Sequence, residues 1–267
     1  MRTDPIITFT SDFGRREPYV GAVHGAILSV CPQARIVDIS HEIPPHEILE
    51  GAFTLLGAYS CFPAHTVHLV VVDPGVGSKR RGIVVCTNRY RFVGPDNGIF
   101  SMIYQREEVG KVISIESEAY FRKPVSPTFH GRDIFGPVAA QLACGTDVSD
   151  FGPEVRDYQQ IDLPSTHKTG ETSLEGAILH IDRFGNAITS ISPKDLRSLL
   201  PGETRPRSFA VGGQEITAHY RYYAEADRDE VFFLLGSSGY YEIAAQGKSA
   251  AFLLNLAVGA RVELEVI

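Results

Sequence analysis

The stretch Val70-Val71-Val72-Asp73-Pro74-Gly75-Val76-Gly77-Ser78-Lys79-Arg80-Arg81 constrains this chain most. It starts as an unbroken apolar run, which is how a strand buried on both faces reads in a helix-covered parallel sheet. The run stops at Asp73-Pro74, where proline removes a ladder donor, and two glycines then permit a tight bend. A carboxylate and three cations, Lys79, Arg80 and Arg81, therefore share one short loop at the carboxyl end of a core strand. In open α/β sheets ligands bind at that end. Taken alone, the loop fits a solvated polar turn as well. Further polar clusters at comparable strand ends favour a site.

The chain on either side has the period of an α/β domain. Short β-rich runs at 6–9, 35–39, 66–72, 82–86, 90–93 and 111–115 predict strands. Between them, a helix opening near Pro18 carries Val20, Val23, Ile27 and Val30 on one face, and others are predicted up to about Tyr59 and over 134–144. This alternation predicts a mainly parallel, doubly wound sheet over residues 1–150. Residues 151–172 have prolines, polar groups and no clear period, the composition of a linker. From 173 to 267, runs at 174–182, 187–191, 208–211, 215–219, 231–235, 241–244 and 261–266 predict short strands between Gly-rich turns, hence a smaller β-barrel or sandwich.

Composition excludes several classes. A net charge of −7 argues against nucleic acid or an anionic membrane as the main partner. The apolar runs, such as 250–260, are too short to span a bilayer, and no signal peptide precedes the first strand. The four cysteines, Cys31, Cys61, Cys86 and Cys144, are widely scattered without a C-x-x-C pair. Their spacing predicts neither a zinc knuckle nor a disulfide framework, and the chain reads as cytoplasmic.

Several clusters hold groups that do chemistry. Asp12, in Thr10-Ser11-Asp12-Phe13-Gly14, stands just past the first strand, where a carboxylate can accept two hydrogen bonds from a ribose diol or cap the next helix. Gly75-Val76-Gly77-Ser78-Lys79 lacks the spacing of a phosphate loop. His41 and His46 are five residues apart across Pro44-Pro45, which breaks the helix a zinc-protease motif needs. His130, in Thr128-Phe129-His130-Gly131-Arg132-Asp133, sits at the entry to a helix and suits a proton donor or acceptor, or a cap. Asp182, Phe184 and Asn186 offer an acid, a ring and a carboxamide, the set a cationic amine and a flat base require, though Gly185-Asn186 also fits a hairpin turn. Ser237 and Ser238, in Gly236-Ser237-Ser238-Gly239-Tyr240, supply hydroxyls and amides for an anion.

Taken in order, these clusters resemble the S-adenosylmethionine (SAM) hydroxide adenosyltransferases, also called SAM hydrolases, a sister family of the fluorinases and chlorinases. The resemblance runs through Thr10–Gly14, Ile39–Pro45, Val71–Arg81, Gly94–Gly98, Pro127–Arg132, Ile181–Asn186 and Ser237–Ala244, essentially the whole chain. It implies an amino-terminal α/β domain, a carboxy-terminal β-barrel and a homotrimer with active sites between subunits. It also implies attack by water or hydroxide at C5′ of the SAM ribose, giving adenosine and methionine with no metal and no cofactor. The family's catalytic set falls on Asp73, Arg80 and His130. Asp12 matches the acid on the ribose diol, Asp182 and Ser237 match contacts to the methionine end, and Phe184 and Asn186 match the adenine side. Phe129 and His46 match pocket walls. Glu17 stands where relatives often have Asp, Gly236 replaces a usual Asn, and Ser238 occupies the place of an Arg in halogenating relatives.

Residue chemistry fits this reaction independently. A guanidinium is a fixed cation and cannot serve as a base, so Arg80 would act electrostatically, favouring hydroxide over water in a dry site. Asp73 can orient the water or take its proton, and His130 can position or relay it. The sulfonium leaves as a neutral thioether and needs no acid. Two alternatives remain: a SAM-dependent halogenase, which the charged Asp73/Arg80 pair disfavours, and a non-catalytic adenosine or SAM binder, which would not need the three groups together.

Overall fold

A computed structural model describes residues 4–200 and 204–267. The chain divides into two compact units, the first ending at Leu163 and the second starting at Pro164. The first unit runs β1 (Ile6–Ser11), α1 (Tyr19–Val30), β2 (Arg35–Ser40), α2 (Ile48–Ala58), β3 (Val67–Val71), β4 (Gly82–Thr87), β5 (Arg91–Pro95), α3 (Ser101–Arg106), β6 (Val109–Ser114) and α4 (Gly136–Ala143). Its six strands lie in the order β2-β1-β3-β5-β4-β6. β1 pairs in parallel with β2 and β3, and β3 with β5, whereas β4 is antiparallel to both β5 and β6. Only the short connection between β4 and β5 forces that reversal, since a link of a few residues makes a hairpin and never a parallel crossover.

Side chains alternate across this sheet and bury both faces. Ile7, Phe9, Leu69 and Val71 join Val23 and Ile27 of α1 and Val138 of α4 in one core. Thr8 and His68 point the other way, where the His68 ring meets Tyr59, the residue that follows α2. Helices therefore cover both faces, the doubly wound arrangement expected, with one reversed strand. β3 is buried at every position, which accounts for its uninterrupted apolar sequence.

The cysteine spacing gave no sign of one feature. Cys31 and Cys144 are joined in a disulfide across a sequence separation of 113. They end the contacting helices α1 and α4, a tertiary proximity that spacing along a chain does not report.

The second unit contains β7 (His167–Lys168), β8 (Ser173–Ile181), β9 (Ala187–Thr189), α5 (Pro193–Leu199), β10 (Pro206–Val211), β11 (Gln214–Ile216), β12 (Val231–Leu235), β13 (Tyr241–Ala245), α6 (Ala250–Leu253) and β14 (Arg261–Val266). Its sheet runs β11-β10-β14-β8-β9-β13-β12, with β7 added to β8, and every pairing is antiparallel. β11 approaches β12, so the sheet nearly closes into a barrel around Leu174, Phe209, Phe233, Ile243 and Leu264. Among the described residues, no helix is long and apolar enough to cross a membrane.

Candidate functional site

The loop after β3 coils back on itself. Val76 N–H donates to Asp73 O at 3.2 Å and Ser78 N–H to Gly75 O at 3.1 Å, two successive turns made possible by Gly77 at φ 77°. Gly77 is also a point of close approach: a Cβ there would lie 2.3 Å from the carbonyl oxygen of Pro127. The glycine thus lets the 127–130 segment dock on the 73–80 loop.

This docking puts three polar groups together. Arg80 Nε donates to Asp73 Oδ1 at 2.8 Å, its Nη2 donates to Asp73 Oδ2, and the same Nη2 lies 2.8 Å from His130 Nδ1. The fork is fixed and nearly dry, with the Arg80 side chain 11% and the Asp73 side chain 5% exposed. The guanidinium carbon also stands 5.1 Å from the centroid of the Phe135 ring. An arginine only donates, so Nδ1 of His130 must accept, and neutral His130 carries its proton on Nε2. Burial, then the Arg80 charge, hold the His130 pKa below the ordinary histidine value. Arg81 turns elsewhere: it donates to Asp96 Oδ2 at 2.8 and 3.0 Å and to Asp157 Oδ1 at 2.8 Å.

Buried Asp133 fixes the segment bearing His130. It is fully buried and accepts from Ser126 N–H, Arg132 Nε and Nη2, and Arg122 Nη1. The residues after His130, Gly131–Phe135, form a single π turn before α4, a distortion common beside functional sites.

Asp12, His46, Asp73, Phe129 and His130 line one cleft of about 250 Å³ in the first unit. Asp12 Oδ2 accepts the backbone N–H of His46 at 3.0 Å, and His46 holds a left-handed φ of 72°. Phe13, Tyr19 and Phe129 meet edge to face with centroids 5.4–6.0 Å apart and wall one side. Tyr19 was not singled out by sequence reasoning, because an aromatic at a helix start carries no signal of its own. Glu17 is exposed in the turn before α1 and does not line the cleft.

In the second unit, Asp182, Phe184, Asn186 and Ser237 line a separate pocket of about 800 Å³. Asp182 Oδ1 accepts Phe184 N–H at 2.9 Å and Asn186 N–H at 2.8 Å, and Oδ2 accepts Asn186 Nδ2 at 2.9 Å. The hairpin turn read from Gly185-Asn186 is present, and it presents the Phe184 ring 77% exposed. Gly185 is required there, since a Cβ would lie 2.0 Å from Ser249 Oγ. Ser238 lies outside the pocket lining with its hydroxyl buried. Two groups at this pocket were missed: Tyr223, which lines it, and buried Glu242, which accepts the Tyr223 hydroxyl. Burial, above all, raises the Glu242 pKa. Strand alternation hides such an acid because its position reads as an ordinary polar residue of β13.

Two family models match the chain: the SAM hydroxide adenosyltransferase N-terminal domain over residues 7–152 and the C-terminal domain of the same family over 176–263. The (R)-S-adenosyl-L-methionine hydrolase of Methanocaldococcus jannaschii is 37% identical, over 96% of this chain and 95% of the relative. A fluorinase of Nocardia brasiliensis is 25% identical over 98% of this chain and 97% of its own. Among solved structures, a conserved protein from Thermotoga maritima superposes with a TM-score of 0.89 at 33% identity, over 97% of this chain and 99% of the other.

Proposed function

We propose that Asp73, Arg80 and His130 carry the chemistry of this chain, which belongs to the SAM hydroxide adenosyltransferase family and hydrolyses SAM to adenosine. The observation that carries the assignment is the Arg80 fork, which grips both oxygens of Asp73 and the Nδ1 of His130 at the wall of one cleft.

In the reaction a water oxygen bonds to C5′ while the C5′–S bond breaks and its electron pair stays on sulfur. Methionine departs as a neutral thioether, adenosine keeps the new hydroxyl, and one proton is released. Arg80 supplies a fixed positive charge that favours hydroxide over water where solvent is scarce. Each Asp73 oxygen retains a lone-pair site beyond the one Arg80 uses, so the carboxylate can orient the nucleophile and accept its proton. With Nδ1 committed to Arg80, His130 offers Nε2–H and serves as a positioning donor rather than a relay. Asp12 suits the ribose diol, with His46 and Phe129 as walls. Asp182, Phe184, Asn186 and Ser237 suit the methionine and adenine ends. Glu17 and Ser238, which depart from the family pattern and lie outside both pocket linings, are left out of this assignment.

The M. jannaschii relative is named for the R epimer at sulfur, and we extend that preference to this chain. Incubation with each epimer in oxygen-18 water tests the proposal. Label in the adenosine 5′-hydroxyl and faster turnover of the R epimer are the expected results. Unlabelled adenosine overturns it.

The proposal includes a homotrimer with active sites shared between subunits, supported by the division of the candidate residues between two sets, one in each unit. Mixing inactive Asp73→Ala with inactive Asp182→Ala chains should restore part of the activity. A fully active monomer on sizing removes this part.

A further inference from the structure

Beside the cleft, three side chains that the C5′ chemistry does not use converge on one point. His24 comes from the middle of α1, Asp38 from β2, and His41 from the loop just after β2. His24 Nε2 lies 2.9 Å from Asp38 Oδ1, and His41 Nε2 lies 3.2 Å from the same oxygen. All three atoms fall within 4.8 Å of one another, the one such grouping of three among the described residues.

The contact between His24 and Asp38 is an ordinary hydrogen bond. His41 differs. It is buried, its Nδ1 sits 2.7 Å from Ser11 Oγ, and its Nε2 stands within ion-pair distance of the Asp38 carboxylate without the alignment of a hydrogen bond. Two imidazole nitrogens aimed at one carboxylate oxygen from near-contact distance form a donor set that a shared cation would fit.

We propose that His24 Nε2, Asp38 Oδ1 and His41 Nε2 form a divalent-cation site of the zinc class, with a fourth position open to water. Ligand atoms about 2.0–2.1 Å from a tetrahedral zinc lie about 3.3 Å from each other. The two N···O separations already come within a few tenths of an ångström of that edge. Two imidazoles and one carboxylate suit zinc rather than magnesium or calcium, which prefer oxygen. The surroundings are those of a ligating histidine: Ser11 holds the far nitrogen of His41, and buried Phe9 packs its ring against His41 at 4.7 Å and His24 at 6.0 Å. His24 and Asp38 are 28% and 26% exposed and His41 is closed, so the cation enters from solvent onto the His41 floor.

The bound ion would be structural. The His41 carbonyl accepts Gly14 N–H at 2.7 Å, and the same loop continues to His46, whose N–H binds Asp12. A cation at this point therefore ties α1 and β2 to the two loops that carry Asp12 and His46. It takes no part at C5′, so the proposal stands apart from the assignment of Asp73, Arg80 and His130.

Metal-free protein titrated with Zn(II) by calorimetry, and with Co(II) by visible absorption, tests this. The expected result is one ion per chain, a Co(II) spectrum of mixed nitrogen and oxygen ligation, and a thermal midpoint that rises with zinc as binding to the native state requires. His24→Ala, placed mid-helix where alanine is well tolerated, and Asp38→Asn should each weaken binding at least roughly tenfold. No binding to the natural chain, or affinity unchanged in either variant, overturns the proposal. The second outcome would put the ion on other groups, such as exposed Cys61.

Discussion

Two neighbouring arginines show how far a single residue's partners decide its work. Arg80 grips Asp73 and His130 at the cleft, whereas Arg81 bridges Asp96 and Asp157 on another side of the loop. Sequence alone could not choose between them with certainty, because both follow the same glycine turn. The structure separates them by alternation along the chain into β4. Arg80→Ala should lower turnover roughly 10²–10³-fold, the scale of one preorganised electrostatic donor, while adenosine binding changes little. Arg80→Lys keeps the charge and loses the fork, so it should be impaired and still bind SAM. Arg81→Ala should turn over normally and lose stability by about 1–3 kcal/mol, because the Asp96 side chain, 2% exposed, is left without its cation. Steady-state kinetics and denaturant melts on the three variants check this. Normal turnover in Arg80→Ala, or a dead Arg81→Ala, sinks the assignment.

At the scale of elements, legibility followed the length and locality of each signal. β12 and β14 match the runs read at 231–235 and 261–266, the first because an unbroken apolar run ends at Gly236 and the second because charged and apolar residues alternate strictly. The Asp73–Arg80 loop was legible because eight consecutive residues contain both the strand end and its charges. His130, 50 residues further on, meets Arg80 only through the Gly77–Pro127 approach. Its pairing came from the family pattern, not from spacing. Three helices escaped reading, α3, α5 and α6, because four to seven residues make fewer than two turns and show no face. One of them had a usable sign: Ser192 before Pro193 and Asp195 in the first turn form a capping box. The Cys31–Cys144 bond, Tyr223 with Glu242, and the His24–Asp38–His41 group all depend on contacts between distant segments, and periodicity carries none of that.

For the whole molecule, buried neutral histidines set the response to acid. His68 is fully buried in the first unit, held at Nδ1 by Thr8 Oγ1 at 2.8 Å and stacked on Phe92 at 5.1 Å. Burial pushes its pKa down from 6.5 to about 3. His219 in the second unit is largely exposed, and its stacking on Phe233 at 4.5 Å shifts it the same way through partial desolvation only. The sign follows from proton counting. Above pH 6.5 neither folded nor unfolded chain protonates His68, so it contributes no pH dependence. Between 6.5 and about 3 the unfolded chain takes up a proton that the folded chain refuses, and stability falls as pH falls. For His68 the loss should reach roughly 3 kcal/mol by pH 4. Lowered carboxylates such as Asp38 and Asp133, both held in ion pairs, add their loss only as pH falls through about 3.8. Glu242, raised by burial, works oppositely: its contribution grows as pH falls toward 4.5. A difference measurement therefore isolates the histidine. Thermal melts of the natural chain and of His68→Leu from pH 7.5 to 4 should diverge in slope, with the variant flatter. Its loss of the Thr8 contact lowers stability equally at every pH and leaves the slope alone. Parallel curves would mean that His68 does not govern the acid response.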